Sequence, residues 1–401
     1  MRSYYNVNTL FSVSNLFKTN KMLKFLYLLI FFLTVNLALI AQEEGEEEVN
    51  VVGFRFLDYN KELPEDILQT KSVVLVSVPQ ISKTNSGRGD WKSFSSEAHE
   101  YFKKIGVDPI AYVFFEDIFA SQEVSKSYAD QFKKREVKYI IIISKVFLRI
   151  KNKESLRYVV LITPFSQEPD FIKNGQIAYK DQDKDLEKIM KKIYGITIRK
   201  DFVKTNNLII DNPEFLSGVP IITGRRNQSY PVDLRVDKLA VPKFEETEAP
   251  GNRPGGILNN RIASEIEKAN EQVERQNFEL DRLFQDYPWK YELVSPGLED
   301  EELYKNGYLY KLIRISSTGR MIKTFLDYEL NDIESDYITT IKRPDGVVTL
   351  RAIPINVPVH KYYIKSLARD EVYIGNAWDA DEAWQDALKN YLANLIEDLK
   401  N

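Results

Sequence analysis

Two acidic residues follow a predicted strand at a position where α/β proteins bind ligands. Glu116 and Asp117 come directly after the second strand that the sequence predicts. The carboxyl ends of parallel strands line the binding crevice of such a sheet, so we expect Ser77, Ser144 and Lys145 to lie nearby. Two carboxylates with a hydroxyl and an ammonium group could hold a hydrated Mg²⁺ against a phosphate. The alternative is that both acids begin a solvated loop and favour the next helix through their charge.

The loop after the first predicted strand lacks a phosphate-binding motif. Residues 82–90 include Gly87 and Gly89, but they fit neither G-x-G-x-x-G nor G-x-x-x-x-G-K-[ST]. Nucleotide binding is therefore a weak alternative. The loop also contains Arg88-Gly89-Asp90, an adhesion tripeptide, for which a chance match of three residues is the better explanation.

The sequence offers few other groups for catalysis. The chain contains no cysteine, which excludes disulfides, a thiol nucleophile and thiolate metal sites. His99 lies on a predicted helix and His360 at a predicted strand start, in different halves of the chain, so neither a histidine triad nor a zinc site is predicted. We expect both to be packing or surface residues. The sequence predicts no catalytic residue, no metal site and no cofactor.

An acidic string near the C-terminus could bind calcium or could cap a helix. Asn376, Asp379, Asp381 and Glu382 offer oxygen ligands, but the spacing of an EF-hand loop is absent. We therefore favour the second interpretation, in which Asp379 or Asp381 caps the closing helix.

The strand-end residues belong to a region, residues 71–240, in which predicted strands and helices alternate. Short β-branched runs predict strands at residues 72–79, 110–115 and 137–144, and further strands at 147–150 and 158–163. Apolar stripes predict three helices. The first spans 91–105, with Asp90 as its N-cap and Gly106 as its C-cap, and the third ends at Gly195. This order predicts an α/β domain with a parallel-core sheet, flanking helices and an antiparallel addition. Residues 196–240 receive no firm assignment.

A second domain is predicted beyond a proline- and glycine-rich linker at residues 241–256. Residues 257–401 begin with a long helix, 258–284, whose apolar positions form a narrow seam that we expect to pack on its own domain. Period-two patterns then predict strands at 308–316, 321–328, 336–342, 347–353 and 359–366, with Ser317-Thr318-Gly319 as a hairpin turn. A short strand at 372–375 precedes the closing helix. The second domain is therefore predicted as α+β, with an antiparallel sheet, a long helix and a C-terminal helix.

The N-terminus has the charge order of an export signal. An apolar run at residues 23–41 follows several lysines and precedes an acidic stretch. We predict a signal at residues 1–41, with Met22 as the true start and cleavage after Ala41, followed by a polar lead-in at 42–70. The leader resembles those of exported bacterial proteins, and this likeness extends no further along the chain. If the signal stays uncleaved, it would anchor the protein in the inner membrane, which is the only membrane association predicted.

The functional prediction follows from the predicted export of the protein, from its net charge and from the lack of a predicted catalytic site. The chain has a net charge of −4, and its predicted leader holds basic residues only, so an acidic body disfavours a nucleic-acid partner. We predict a periplasmic or extracellular, non-catalytic interaction or structural protein of the cell envelope with an envelope protein as partner. The alternative is a small-ligand or nucleotide/metal-binding protein, or a phosphohydrolase, that uses the strand-end acids. The sequence does not indicate an oligomeric state.

Overall fold

The structure is a computed structural model that describes residues 57–80, 87–150, 153–173, 175–246, 257–331, 333–342 and 347–400. The predicted export signal, its cleavage site and most of the predicted linker lie outside these residues. In the described ranges, none of the helices combines the length and the apolar character needed to cross a membrane.

The first half of the chain forms a six-stranded mixed sheet with flanking helices, as predicted. Its elements in chain order are β1 (Asp58–Asn60), β2 (Lys71–Ser77), α1 (Trp91–Ile105), β3 (Asp108–Phe114), a 3₁₀ helix (Phe115–Phe119), α2 (Gln122–Lys134), β4 (Val137–Ile150), β5 (Lys153–Pro164), β6 (Ile177–Asp183) and α3 (Leu186–Arg199). The strand order is β1-β6-β5-β4-β2-β3. β2 pairs in parallel with β3 and β4, whereas β5 is antiparallel to β4 and β6.

The ends of α1 follow the sequence prediction, and the end of α3 does not. The Asp90 side chain accepts a hydrogen bond from the Ser93 amide at 3.0 Å, and Gly106 adopts the left-handed conformation with a φ of 99°. The prediction that Gly195 ends the third helix was wrong, because α3 continues to Arg199. Thr197 is buried two residues further on, so packing outweighs the modest cost of a glycine inside a helix.

The second half forms another six-stranded sheet, a separate hairpin and further helices. Its elements are β7 (Arg225–Asn227), a second 3₁₀ helix (Val232–Arg235), β8 (Leu239–Pro242), α4 (Ile257–Phe284), β9 (Tyr291–Val294), α5 (Asp300–Lys305), β10 (Tyr310–Thr318), α6 (Gly319–Phe325), β11 (Asp336–Lys342), β12 (Val348–Pro354), β13 (Pro358–Ser366), β14 (Glu371–Tyr373) and α7 (Trp384–Lys400). The sheet order is β7-β14-β13-β10-β8-β9, and β11 pairs with β12 as the hairpin. The sheet is antiparallel only at its centre, from β10 to β14, and parallel at both flanks.

One predicted strand of this half is a helix. The period-two pattern at residues 321–328 was misleading, because α6 occupies most of that stretch and Thr318 caps it by accepting a hydrogen bond from the Met321 amide. Ile322 and Phe325 are fully buried three residues apart, which also fits a helical face. The predicted hairpin turn at Ser317-Thr318-Gly319 is therefore a strand-to-helix junction.

The division between the sheets does not coincide with the predicted linker. β7 and β8 lie before residue 243, yet both pair within the second sheet. Part of the predicted polar lead-in also packs in the first half: β1 pairs with β6, and Ile67 is fully buried.

The buried residues form layers on either side of the two sheets. The outer face of the first sheet packs against α1 and α3. A large core lies between the sheets and includes Leu75 and Ile142 from the first sheet, Ile313 and Tyr363 from the second, and residues of α2 and α6. The other face of the second sheet packs against α4 and α7. The strand ends of the first sheet therefore face the second sheet across a shared core.

Candidate functional site

Three of the five predicted site residues lie at the ends of β2 and β4, but they do not all share one face of the sheet. Ser77 and Ser144 are register partners at the ends of β2 and β4, and both are buried. Lys145 is the next residue of β4, so its side chain projects from the opposite face. Its Nζ lies 4.3 Å from the centre of the Phe94 ring and 5.7 Å from that of Tyr158. Lys145 therefore lies at the same edge of the sheet as the two serines, as expected, but does not share their face.

Asp117 forms a closed ion-pair cluster with two residues that the sequence did not bring to it. The guanidinium of Arg88 donates to both carboxylate oxygens, at 2.7 Å to Oδ2 and 2.5 Å to Oδ1. The Ser317 hydroxyl donates to Oδ1 at 2.6 Å and accepts from Arg88 at 3.1 Å. Because Ser317 belongs to β10, this cluster joins the strand ends of the first sheet to the second sheet. We call Arg88, Asp117 and Ser317 the inter-sheet cluster.

Local structure holds Arg88 in position. Its backbone forms an isolated bridge with Gln80, and its guanidinium lies 4.1 Å above the Phe114 ring. A side chain at Gly89 would meet the carbonyl oxygen of Pro79 at 2.6 Å, so only glycine allows this return of the loop. Asp90 then caps α1. Each residue of the adhesion-like tripeptide therefore has a role in the fold, in agreement with a chance match.

Of the two acids that follow β3, Glu116 is the one whose negative charge is poorly compensated by its surroundings. One carboxylate oxygen, Oε2, is buried and has no hydrogen-bond partner among the described residues. Burial raises the pKa of Glu116 to about 7, the positive charge of Arg88 opposes this rise, and the negative charge of Asp117 adds to it. The carboxyl group therefore titrates near neutral pH, a property that is common at functional sites and also occurs in structural ion-pair networks.

The two histidines lie far from each other in the sequence, and both are built into the fold; His360 is the register partner of Ser316, next to Ser317 of the inter-sheet cluster. His99 is buried, with Nδ1 3.0 Å from the Tyr112 hydroxyl and Nε2 2.9 Å from the Ile210 carbonyl oxygen. Burial, together with the nearby charge of Arg314, lowers the pKa of His360 to about 3. His360 therefore stays neutral in the folded protein at physiological pH.

The acidic string near the C-terminus is neutralised by the protein's own cations. Asp379 accepts from the Nζ of Lys361 at 2.6 Å, and both side chains are buried. Arg351 binds Asp381 at 2.8 Å and Glu382 at 2.5 Å. The prediction that Asp379 or Asp381 caps the closing helix was wrong, because α7 begins only at Trp384. The carboxylates serve as ion-pair partners for β13 and β12 instead.

These contacts account for most of the candidate chemistry. Across the described part of the chain, no three side chains of the histidine, aspartate and glutamate types come together as a metal site would require. Comparison with protein families, with curated proteins and with solved structures found no match for this chain. The sequence suggested Glu116 and Asp117 but missed Arg88 and Ser317. A basic residue in the loop beside a strand-end acid is the only signal that could have indicated Arg88.

Proposed function

We propose that this chain is an exported, non-catalytic protein of a bacterial cell envelope that acts by binding another envelope protein. The observation that carries this proposal is the inter-sheet cluster. Strand ends are where an α/β enzyme keeps its reactive groups. Here the acid at that place has both carboxylate oxygens engaged by Arg88, so it serves to hold the two sheets together.

The alternative, a nucleotide/metal-binding protein or phosphohydrolase, is less well supported by this geometry. A divalent cation at Asp117 would have to displace a bidentate guanidinium, and it would lie against a positive charge. Lys145 could not contribute there, because it projects from the other face of the sheet. Ser77 and Ser144 remain next to each other, but their hydroxyl groups alone bring no charge for binding a metal.

A surface suited to a protein partner lies on the hairpin of β11 and β12. Its inner face is buried at Tyr337 and Ile353. Its outer face carries Ile338, Val348 and Leu350, which are 58%, 56% and 66% exposed. Apolar side chains grouped on a sheet face are typical of a surface that contacts another protein. We assign partner binding to this outer face of the hairpin.

Export is tested by fractionating cells that produce the full chain and sequencing the N-terminus of the product. We expect the protein outside the cytosol, beginning at Gln42 if the signal is cleaved. A full-length chain in the cytosol would contradict the proposal.

Partner binding is tested with a photoreactive residue placed at Thr340, between the exposed side chains of the hairpin. We expect one cross-linked envelope protein, and we expect Leu350→Asp to abolish the cross-link. The matched control is Leu208→Asp, at a leucine that is 93% exposed and outside the hairpin. If both variants retain the cross-link, or if the purified wild-type protein turns over phosphate esters, the proposed function is wrong.

A further inference from the structure

A cavity of about 80 Å³ lies where two neighbouring strands of the second sheet separate. β8 pairs with β10 only at Tyr310 and Lys311. Beyond that point residues 241–243 line one wall of the cavity and the continuing β10 lines another. The chain before α2 closes the gap, because the Ser316 amide donates to the Ala120 carbonyl oxygen at 2.9 Å. We call this space the strand-gap cavity.

The strand-gap cavity has more positive charge than its surroundings neutralise. Lys243, Lys311 and Arg314 all line it. The Nζ of Lys311 is paired with Asp300 at 2.9 Å. Neither Lys243 nor Arg314 forms an ion pair with any described residue. Two cationic residues without an ion-pair partner among the described residues thus line one small space.

The single acid that lines the cavity has a partner of its own. Glu123 lies with its Oε1 3.9 Å from the Nζ of Lys365, and its side chain is only 16% exposed. Lys365 also lies 2.6 Å from Asp300, the partner of Lys311, so these two lysines and two acids balance one another and the unmatched charge of the cavity remains positive.

Arg314 is held in place by aromatic groups. Its guanidinium lies 3.7 Å from the centre of the Phe244 ring, and its register partner on the adjacent strand, Tyr362, also lines the cavity. Burial lowers the pKa of Arg314, since removing a cation from water is unfavourable. A cation in such a setting is costly unless a counter-charge is bound, and an anion in the cavity would supply it.

The first turn of α2 adds hydrogen-bond donors to the same wall. Ser121 is the N-cap and accepts from the Val124 amide at 3.2 Å. The amides of Gln122 and Glu123 have no hydrogen-bond acceptor in the described part of the chain, and both residues line the cavity. The first turn of α2, with its positive helix end, therefore lines the same cavity as the two unmatched cationic residues.

We infer that the strand-gap cavity binds a small oxyanion with two negative charges, either inorganic phosphate or the terminal group of a phosphate monoester. The two cations supply the charge, Arg314 supplies a planar fork that matches phosphate oxygens, and the free amides supply further donors. A volume of about 80 Å³ corresponds to roughly two or three water molecules, which suits one oxyanion.

The test is calorimetric titration of the purified protein with inorganic phosphate and, separately, with glycerol 3-phosphate at constant ionic strength. We expect binding of at least one of them and none of acetate. Arg314→Gln should weaken binding about tenfold or more, because a charge-assisted contact is lost. Lys243→Gln, at an exposed residue on the rim, should weaken it less and keeps the test valid if Arg314→Gln fails to fold. The matched control is Arg275→Gln, at an exposed arginine of α4 outside the cavity.

The outcomes are distinguishable. Tighter binding of inorganic phosphate indicates a free ion, and tighter binding of glycerol 3-phosphate indicates a phosphorylated metabolite or headgroup. Absence of binding of both inorganic phosphate and glycerol 3-phosphate overturns the inference, and so does equal binding by wild type, Arg314→Gln and Lys243→Gln. Neither result bears on the partner surface of the hairpin, which is tested separately.

Discussion

Replacing Glu116 with glutamine should remove a pH dependence from the stability of the protein. The pKa of this carboxyl group is raised from 4.5 to about 7 in the folded state. Between these values the folded state keeps a proton that the unfolded state has released. The stabilisation is therefore fully present below pH 4.5 and is lost as the pH rises through 7. A shift of this size corresponds to about 3 kcal/mol at 1.36 kcal/mol per pKa unit.

Urea denaturation at pH 5 and pH 8 measures this effect. Between these two conditions, we expect the free energy of unfolding of the wild type to fall by about 2 to 3 kcal/mol relative to that of Glu116→Gln. The variant should be the more stable protein at pH 8, since glutamine carries no charge into the buried site. The matched control is Glu97→Gln, at an exposed glutamate of α1, which should follow the wild type. If Glu116→Gln keeps the wild-type pH dependence, the carboxyl group is not desolvated as described.

Three further predictions concern the inter-sheet cluster, His360 and Gly195. Arg88→Ala and Asp117→Ala should each lower the free energy of unfolding by about 3 to 5 kcal/mol, because each leaves a buried charge unpaired. The double variant should cost clearly less than the sum of the two, and additive costs in a denaturation cycle would contradict the ion pair. The pKa of His360 is lowered to about 3, so this residue alone should contribute a loss of about 3 kcal/mol between pH 7 and pH 4, where only the unfolded state binds its proton. His360→Gln should lose that much less over the same range, and an identical loss would refute the assignment. Gly195→Ala should raise the free energy of unfolding by about 0.5 to 1 kcal/mol, because the added Cβ meets no atom within 4 Å; a lower melting temperature would argue against a helical Gly195.

Local signals predicted the elements well where the chemistry of the helix ends was explicit. Asp90 and Gly106 bound α1 as expected, because an N-cap and a left-handed C-cap depend on residues within one turn. Thr318 also caps a helix, but the sequence analysis assigned the residues after it to a strand. A short apolar run fits a strand and a helix equally well.

The candidate site was only half predictable for a related reason. The sequence placed Glu116 and Asp117 at a strand end, and this follows from local pattern alone. The partners of Asp117 are 29 and 200 residues away, so their pairing depends on tertiary structure. The sequence grouped Lys145 with Ser77 and Ser144 because all three lie at strand ends. Successive residues of a strand point to opposite faces of the sheet, so position at a strand end alone does not specify the face.

Ser317 lies 200 residues after Asp117, and this separation affects the order in which the two halves of the protein can fold during synthesis. More than three quarters of the 401-residue chain is already synthesised before Ser317, the residue that closes the cluster, exists. Until then, the apolar face that later meets Ile313 and Tyr363 has nothing to cover it. The nascent N-terminal half must therefore remain incompletely packed, and open to chaperones, until the C-terminal half arrives.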